Sequence, residues 1–195
     1  MTNLKFDPKT HTYSLNNNII PSVTQVMEDL LPSFKVHEWY LKRGSAVHQC
    51  AALIAQGKKF KNDPRIDGQV VALYKFFNEV NPQPVSIETP VYSERYQYAG
   101  TLDLLMPLGD NWAIIDYKGT VDKERTAIQI AGYGLALDEM CGTKHKYGYG
   151  VQINDDGTYS MTERIRLETY KHKFLSLLNV YKLRDKLGYH KNEKK

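Results

Sequence analysis

Cysteine is nearly absent from this chain. The two present, Cys50 and Cys141, lie far apart and fall in no CxxC or other ligand spacing. That excludes a zinc site or an iron–sulfur cluster held by four cysteines of one chain. Free thiols fit a reducing, cytoplasmic setting. Long apolar runs are missing too. No stretch reaches the roughly 18 consecutive apolar residues of a membrane span, and Met1 is followed by polar residues, so neither a membrane segment nor a secretory leader is expected. There is no GxxxxGK[ST] phosphate loop and hence no sign of an ATP-driven step. The charge excess is small: a net charge of +4 permits a polyanionic partner without requiring one. What is present is a chain of 195 residues, 42% of them hydrophobic, which can bury a core without disulfide staples and suits one domain.

The pattern of elements is mixed. "LKFDPKTHTYSL", a turn at Asn16–Asn18 and "IIP" read as an N-terminal hairpin, and Ser22 is placed to cap a short helix, "VTQVMEDLL". Helical spacing predicts further helices over about 45–56, 68–80, 126–140 and 167–187. In the second of these, Val71, Leu73, Tyr74 and Phe77 are the core candidates. Between the helices lie strands: "SIETPVYS", "YQYAGTLDLLMP", "WAIIDYK", "KYGYGVQI" and "TYSMTERI". The order predicts an α/β fold, a central mixed sheet flanked by helices.

The chemistry lies in "IIDYKG", residues 114–119. Side chains two apart on a strand share a face, so Asp116 and Lys118 point together and Tyr117 points away. Registering the hairpin about Gly109-Asp110 sets Leu108 against Asn111 and, stepping outward, Asp103 against Asp116. Cross-strand partners have Cβ atoms roughly 4.5–5.5 Å apart, a range at which two carboxylates repel. A hard divalent cation between them removes that cost. A slip of one residue would send the acids to opposite faces, so the inference depends on register. Two carboxylates, a cation and a lysine suit hydrolysis of a phosphodiester: the cation offsets phosphate charge, and the lysine positions a water molecule.

These residues resemble the PD-(D/E)XK nuclease superfamily in its RecB-like exonuclease branch. "RGSAVH" resembles the branch's Arg-Gly-x-x-x-His signature, "AGTLDLL" its Gly-x-x-Asp strand, "IIDYKG" its Asp-x-Lys strand and "QIAGY" the Gln-x-x-x-Tyr helix that follows. "THTYSLNNNIIPSVTQVM" is similar to the start of many small phage exonucleases and of relatives of the mitochondrial genome maintenance exonuclease. The resemblance implies a restriction-endonuclease-like αβββαβ core over residues 41–190, preceded by a hairpin-and-helix extension over 1–40 and followed by a loose tail at 191–195. It implies one or two Mg2+ or Mn2+ ions and no iron–sulfur cluster.

The same resemblance assigns roles. Asp103 and Asp116 bind the metal, helped by the backbone carbonyl of Tyr117, and Lys118 acts on the attacking water. His48 is a further ligand, the alternative being an ordinary polar residue on a helix surface. Glu88 matches an acid one strand earlier that holds a second metal or a water, the alternative being an exposed edge-strand glutamate. Gln129 and Tyr133, four apart on one helix face, contact nucleic acid and buttress the catalytic strand. Arg43 holds a phosphate or pairs with a carboxylate. Lys58, Lys59, Lys61 and Arg65 offer contacts to phosphate oxygens, or else form a solvated loop. Tyr92, Tyr96 and Tyr98 have the chemistry to stack on unpaired bases, although most strand tyrosines simply pack. The expected partner is DNA, with a helicase or a single-strand annealing or binding protein supplying any unwinding. A structure-specific endonuclease, a non-cleaving nucleic-acid-binding module and an unrelated domain with surface acids are the competing readings.

Overall fold

A computed structural model describes residues 3–8, 10–31 and 37–189. The predicted tail at 191–195 lies outside them. The N-terminus forms a three-stranded antiparallel meander of β1 (Leu4–Asp7), β2 (Thr12–Leu15) and β3 (Asn18–Ile20). The turn before β3 puts both Asn16 and Asn17 at positive φ, 51° and 68°, a conformation asparagine tolerates better than most residues. Helix α1 (Val23–Leu30) then starts on a capping box, in which Ser22 accepts from the Gln25 amide and Gln25 reaches back to the Ser22 N–H.

Helix α2 (Glu38–Ala55) is longer than the pattern predicted, running straight through Gly44-Ser45. A single glycine inside a helix costs only about 1 kcal/mol relative to alanine, too little to end one supported by packing. Helix α3 (Asp67–Val80) has the predicted extent but a different phase. It buries Val70, Ala72, Leu73 and Phe76, while Val71 and Tyr74 are exposed. The buried Gln69 sits on this inner face and blurs the apolar stripe that should have revealed it.

The central sheet has the order β4 (Ser86–Ser93), β5 (Tyr98–Leu108), β6 (Asn111–Lys118), β7 (Tyr147–Ile153), β8 (Tyr159–Met161), with β9 (Ile165–Arg166) also pairing with β7. All pairings are antiparallel except β6 with β7, which are parallel and joined through helix α4 (Lys123–Cys141). The sheet is therefore mixed, and the segment from α3 to β7 follows the αβββαβ order. On one face α1, α4 and α5 (Glu168–Lys186) pack around Ile114, Tyr98 and Phe174; on the other, α2 and α3 pack around Ile115, Phe76 and Tyr117. No helix among the described residues is long and apolar enough to cross a membrane.

A buried polar knot ties α4 to α5 away from the cleft described below. Asp138 accepts from the His145 amide at 2.6 Å and lies 3.0 Å from its Nδ1, while Lys171 Nζ donates to the other carboxylate oxygen at 2.5 Å. His145 and Lys171 are both buried. Burial pulls the Asp138 carboxyl upward, but the bonds from His145 and Lys171 prevail and hold it below its ordinary range. Asp138→Ala removes the nearest counter-charge of a buried ammonium, leaving it the His145 carbonyl at 3.3 Å and the exposed Glu168 carboxylate at 3.5 Å. It is expected to cost about 3 kcal/mol, a melting temperature lower by about 6–12 °C in a chain of this size. Thermal denaturation checks this, and a loss within 2 °C would mean that water replaces the carboxylate.

Candidate active site

The β5–β6 hairpin has the register on which the sequence argument depended. Leu108 opposes Asn111 and Leu104 opposes Ile115, so one further step brings Asp103 level with Asp116. At that level the pairing with β6 ends and the pairing with β4 skips one position. Toward β6, the Tyr117 N–H turns from the ladder and donates to Asp103 Oδ2 at 2.8 Å. Toward β4, Ile87 pairs with Leu104 and Thr89 with Leu102, but Glu88 between them sits at φ 46°. A left-handed glutamate inside a strand is costly and persists only where its surroundings hold it. The strands splay at Asp103, and three side chains converge in the gap.

These are His48 from α2, Glu88 from β4 and Asp103 from β5, whose ligand-type atoms all lie within 4.8 Å of one another. His48 Nδ1 is 3.1 Å from Asp103 Oδ1. Asp116 faces the same cleft but is engaged elsewhere: Lys118 Nζ lies 2.6 Å from its Oδ2, and Gln129 Nε2 donates to its Oδ1 at 3.3 Å. Gln129 also donates to Tyr133 Oη at 2.9 Å, so the α4 pair braces β6 from behind. Tyr133 in turn packs on Gly100, where an added Cβ would come 2.7 Å from its ring. The glycine three residues before Asp103 thus makes room for the brace.

The electrostatics are those of a site short of positive charge. Burial raises the Asp116 carboxyl above its ordinary range; Lys118 opposes this without cancelling it, and Asp103 adds to the rise. Burial also pulls Asp103 upward, but His48 and Lys118 outweigh it and hold Asp103 low. Glu88 is pushed up to about 7, by burial first and then by the charge of Asp103. Burial disfavours a charged His48, yet the Asp103 charge and hydrogen bond prevail and lift it to about 9. Two carboxylates and an imidazole that hold extra protons for want of a counter-charge fit a divalent cation.

The cluster forms the floor of an open cleft of about 1090 Å3. One wall is α2, through Leu41, Ser45, Gln49 and Leu53; the other is the N-terminal meander, through Phe6, His11 and Tyr13. Gln129 and Tyr133 reach the cleft but are buried. Arg43 lies instead in a smaller pocket of about 240 Å3 behind His48 and Lys118, its guanidinium 4.8 Å over the Tyr40 ring. Lys58, Lys59 and Lys61 are exposed beyond the end of α2 and line neither pocket. Arg65 is drawn to Asp63 at 2.6 Å and stacks on Trp39.

The tyrosines marked for stacking are packed away from the cleft. Tyr98 is fully buried and donates to the Gly132 carbonyl at 2.7 Å, and Tyr96 packs at the edge of the same core. Tyr92 packs beside Tyr13 and Leu15. Tyr98 and Tyr96 thus serve the core under α1, α4 and α5, and Tyr92 the contact between the sheet and the meander. The wall that does carry exposed aromatics, the meander, was missed. It joins the site through a hydrogen bond between Tyr13 and Thr101, 2.7 Å and 88 residues apart, which no local pattern reveals.

No family model matches the chain, and neither does any curated protein. Among solved structures, LHK-Exo in complex with dAMP is similar at 15% identity over 87% of this chain and 93% of that chain, with a TM-score of 0.40. The alkaline exonuclease LHK-Exo from Laribacter hongkongensis gives 15% identity over 86% of this chain and 92% of that one, with a TM-score of 0.37. SSO0001 gives 12% identity over 80% and 84%, with a TM-score of 0.33.

Proposed function

We propose that the protein is a divalent-metal-dependent nuclease that hydrolyses phosphodiester bonds in DNA, acting from ends as an exonuclease. The observation that carries this reading is the convergence of His48, Glu88 and Asp103 within 4.8 Å on the floor of an open cleft, beside the Asp116–Lys118 pair. The order of sequence motifs supports it, since each of the four contributes a residue at or beside this floor. His48, Glu88 and Asp103 would hold Mg2+ or Mn2+, with Asp116 within reach of the same ion or a second one. When bound, the ion supplies Lewis acidity, offsets phosphate charge and stabilises the leaving oxygen.

The chain's own groups do the positioning. The Tyr117 amide fixes one Asp103 oxygen and leaves the other toward His48. Gln129 and Tyr133 hold Asp116 in place, and Asp116 in turn keeps the Lys118 ammonium at the cleft. From there Lys118 orients a water and meets the negative charge of the attacked phosphate. In recombination, repair or replication, a helicase or an annealing protein would supply the strand.

The test uses linear and covalently closed circular DNA with magnesium or manganese. Linear DNA is expected to be lost to short products while closed circles survive. Cutting of closed circles would favour an endonuclease on the same fold. Binding without cutting in either metal would leave a nucleic-acid-binding module.

A further inference from the structure

The cleft holds two exposed apolar side chains that the reaction floor does not use. Phe6 on the meander is 40% exposed, and Leu41 on α2, lining the same cleft, is 61% exposed. One exposed apolar residue is ordinary; two lining the cleft that contains the ligand cluster are a feature of that cleft. Phe6 does not stand alone. It lies across the sheet from Tyr13 with ring centroids 4.6 Å apart, and the exposed His11 ring meets its edge at 5.9 Å. His11 holds φ 51°, a left-handed conformation that a histidine adopts at a cost. The group is fixed relative to the floor: Tyr13 bonds to Thr101, two residues before Asp103, and Ala99 N–H donates to the Pro21 carbonyl at 3.0 Å.

We propose that Phe6 and His11, with Leu41 opposite, form a slot that stacks an unpaired nucleobase of the strand being cut, so that the substrate is single-stranded DNA or a frayed end. This deepens the nuclease reading and rests on it for the identity of the ligand. Phosphates suit a floor that gathers a cation, and the flat faces of bases suit aromatic and apolar walls. Inside a duplex both faces of a base are covered by its neighbours, and at a blunt end only the outer face of the terminal pair is free, so an unpaired nucleotide is what can enter between two walls and offer a face to each. Stacking of this kind tolerates any sequence, because every base has such a face.

The experiment is fluorescence anisotropy in calcium buffer with a mixed-sequence 12-mer, the same 12-mer with abasic residues, and a blunt duplex. Phe6→Ala is expected to weaken binding of the intact single strand about tenfold, and Phe6→Trp to restore it. The abasic strand should bind the parent about tenfold more weakly, with no further loss on Phe6→Ala, and duplex binding should not change. His11→Gly, which relieves the left-handed strain and so keeps the fold, should reproduce part of the loss. An equal effect of Phe6→Ala on intact and abasic strands, or no effect on either, overturns the slot. Absence of cleavage by the parent in any metal, with this base-dependent binding intact, would instead remove the nuclease reading and leave the slot standing.

Discussion

Asp116→Asn is expected to abolish cleavage while raising the melting temperature of the metal-free protein. The two effects have one cause. Asp116 is 1% exposed, and its carboxyl is pushed above its ordinary range because burial and Asp103 together outweigh Lys118. Its charge is therefore held at a cost at neutral pH. Asparagine has the same shape, keeps an oxygen to accept from Gln129 and carries no charge. Lys118 loses its partner, but its side chain is 25% exposed and can turn to water. A net gain on the order of 1 kcal/mol corresponds to about 2–4 °C for a chain of this length. Cleavage should fall by more than the 10–100-fold typical of groups that merely support a metal ligand. Thermal denaturation in EDTA and a single-turnover assay read the two effects. A melting temperature lowered by several degrees would make Asp116 a structural anchor for Lys118, and retained cleavage would remove it from the chemistry.

What could be read in advance follows from the range of the interactions involved. The level of Asp103 and Asp116 was legible because a two-residue turn fixes register and a period of two fixes direction, both over short stretches of chain. Ser22 as a cap was legible for the same reason. Glu88 could be marked as an acid in the right strand, but its left-handed backbone, which tips it toward Asp103 and His48, depends on how β4 meets the splay of β5. The phase of α3 was lost because Gln69 is buried where an apolar residue was expected. The aromatic wall was lost because Phe6 and His11 are brought to the cleft by contacts distant in sequence, the Tyr13–Thr101 bond and the Ala99–Pro21 bond. Tyr98 shows the converse: the residue type was right for stacking, but its position in the sheet turned it into the core.

Metal and protons compete for the same groups, which gives the second large effect. His48 is lifted from 6.5 to about 9 and Glu88 from 4.5 to about 7. Both therefore hold protons in the folded chain that they release on unfolding, so both make the metal-free protein less stable as pH rises. The Glu88 contribution is lost between about 4.5 and 7, and the His48 contribution between about 6.5 and 9. A cation takes the deprotonated forms, so its stabilisation moves in the opposite direction. In EDTA the melting temperature should drift down from pH 6 to 9. With millimolar Mn2+ the gain over EDTA should be small at pH 6 and grow through pH 9. Ligand at a hundred times its Kd contributes about 2.7 kcal/mol, or about 5–11 °C here. Titration calorimetry in buffers of different ionisation enthalpy should find close to two protons released per ion below pH 7 and about one between 7 and 9. Glu88→Gln should remove one of the two. A metal-induced shift that is the same at pH 6 and pH 9, or proton release unchanged by Glu88→Gln, would mean that the ion is not held by His48 and Glu88.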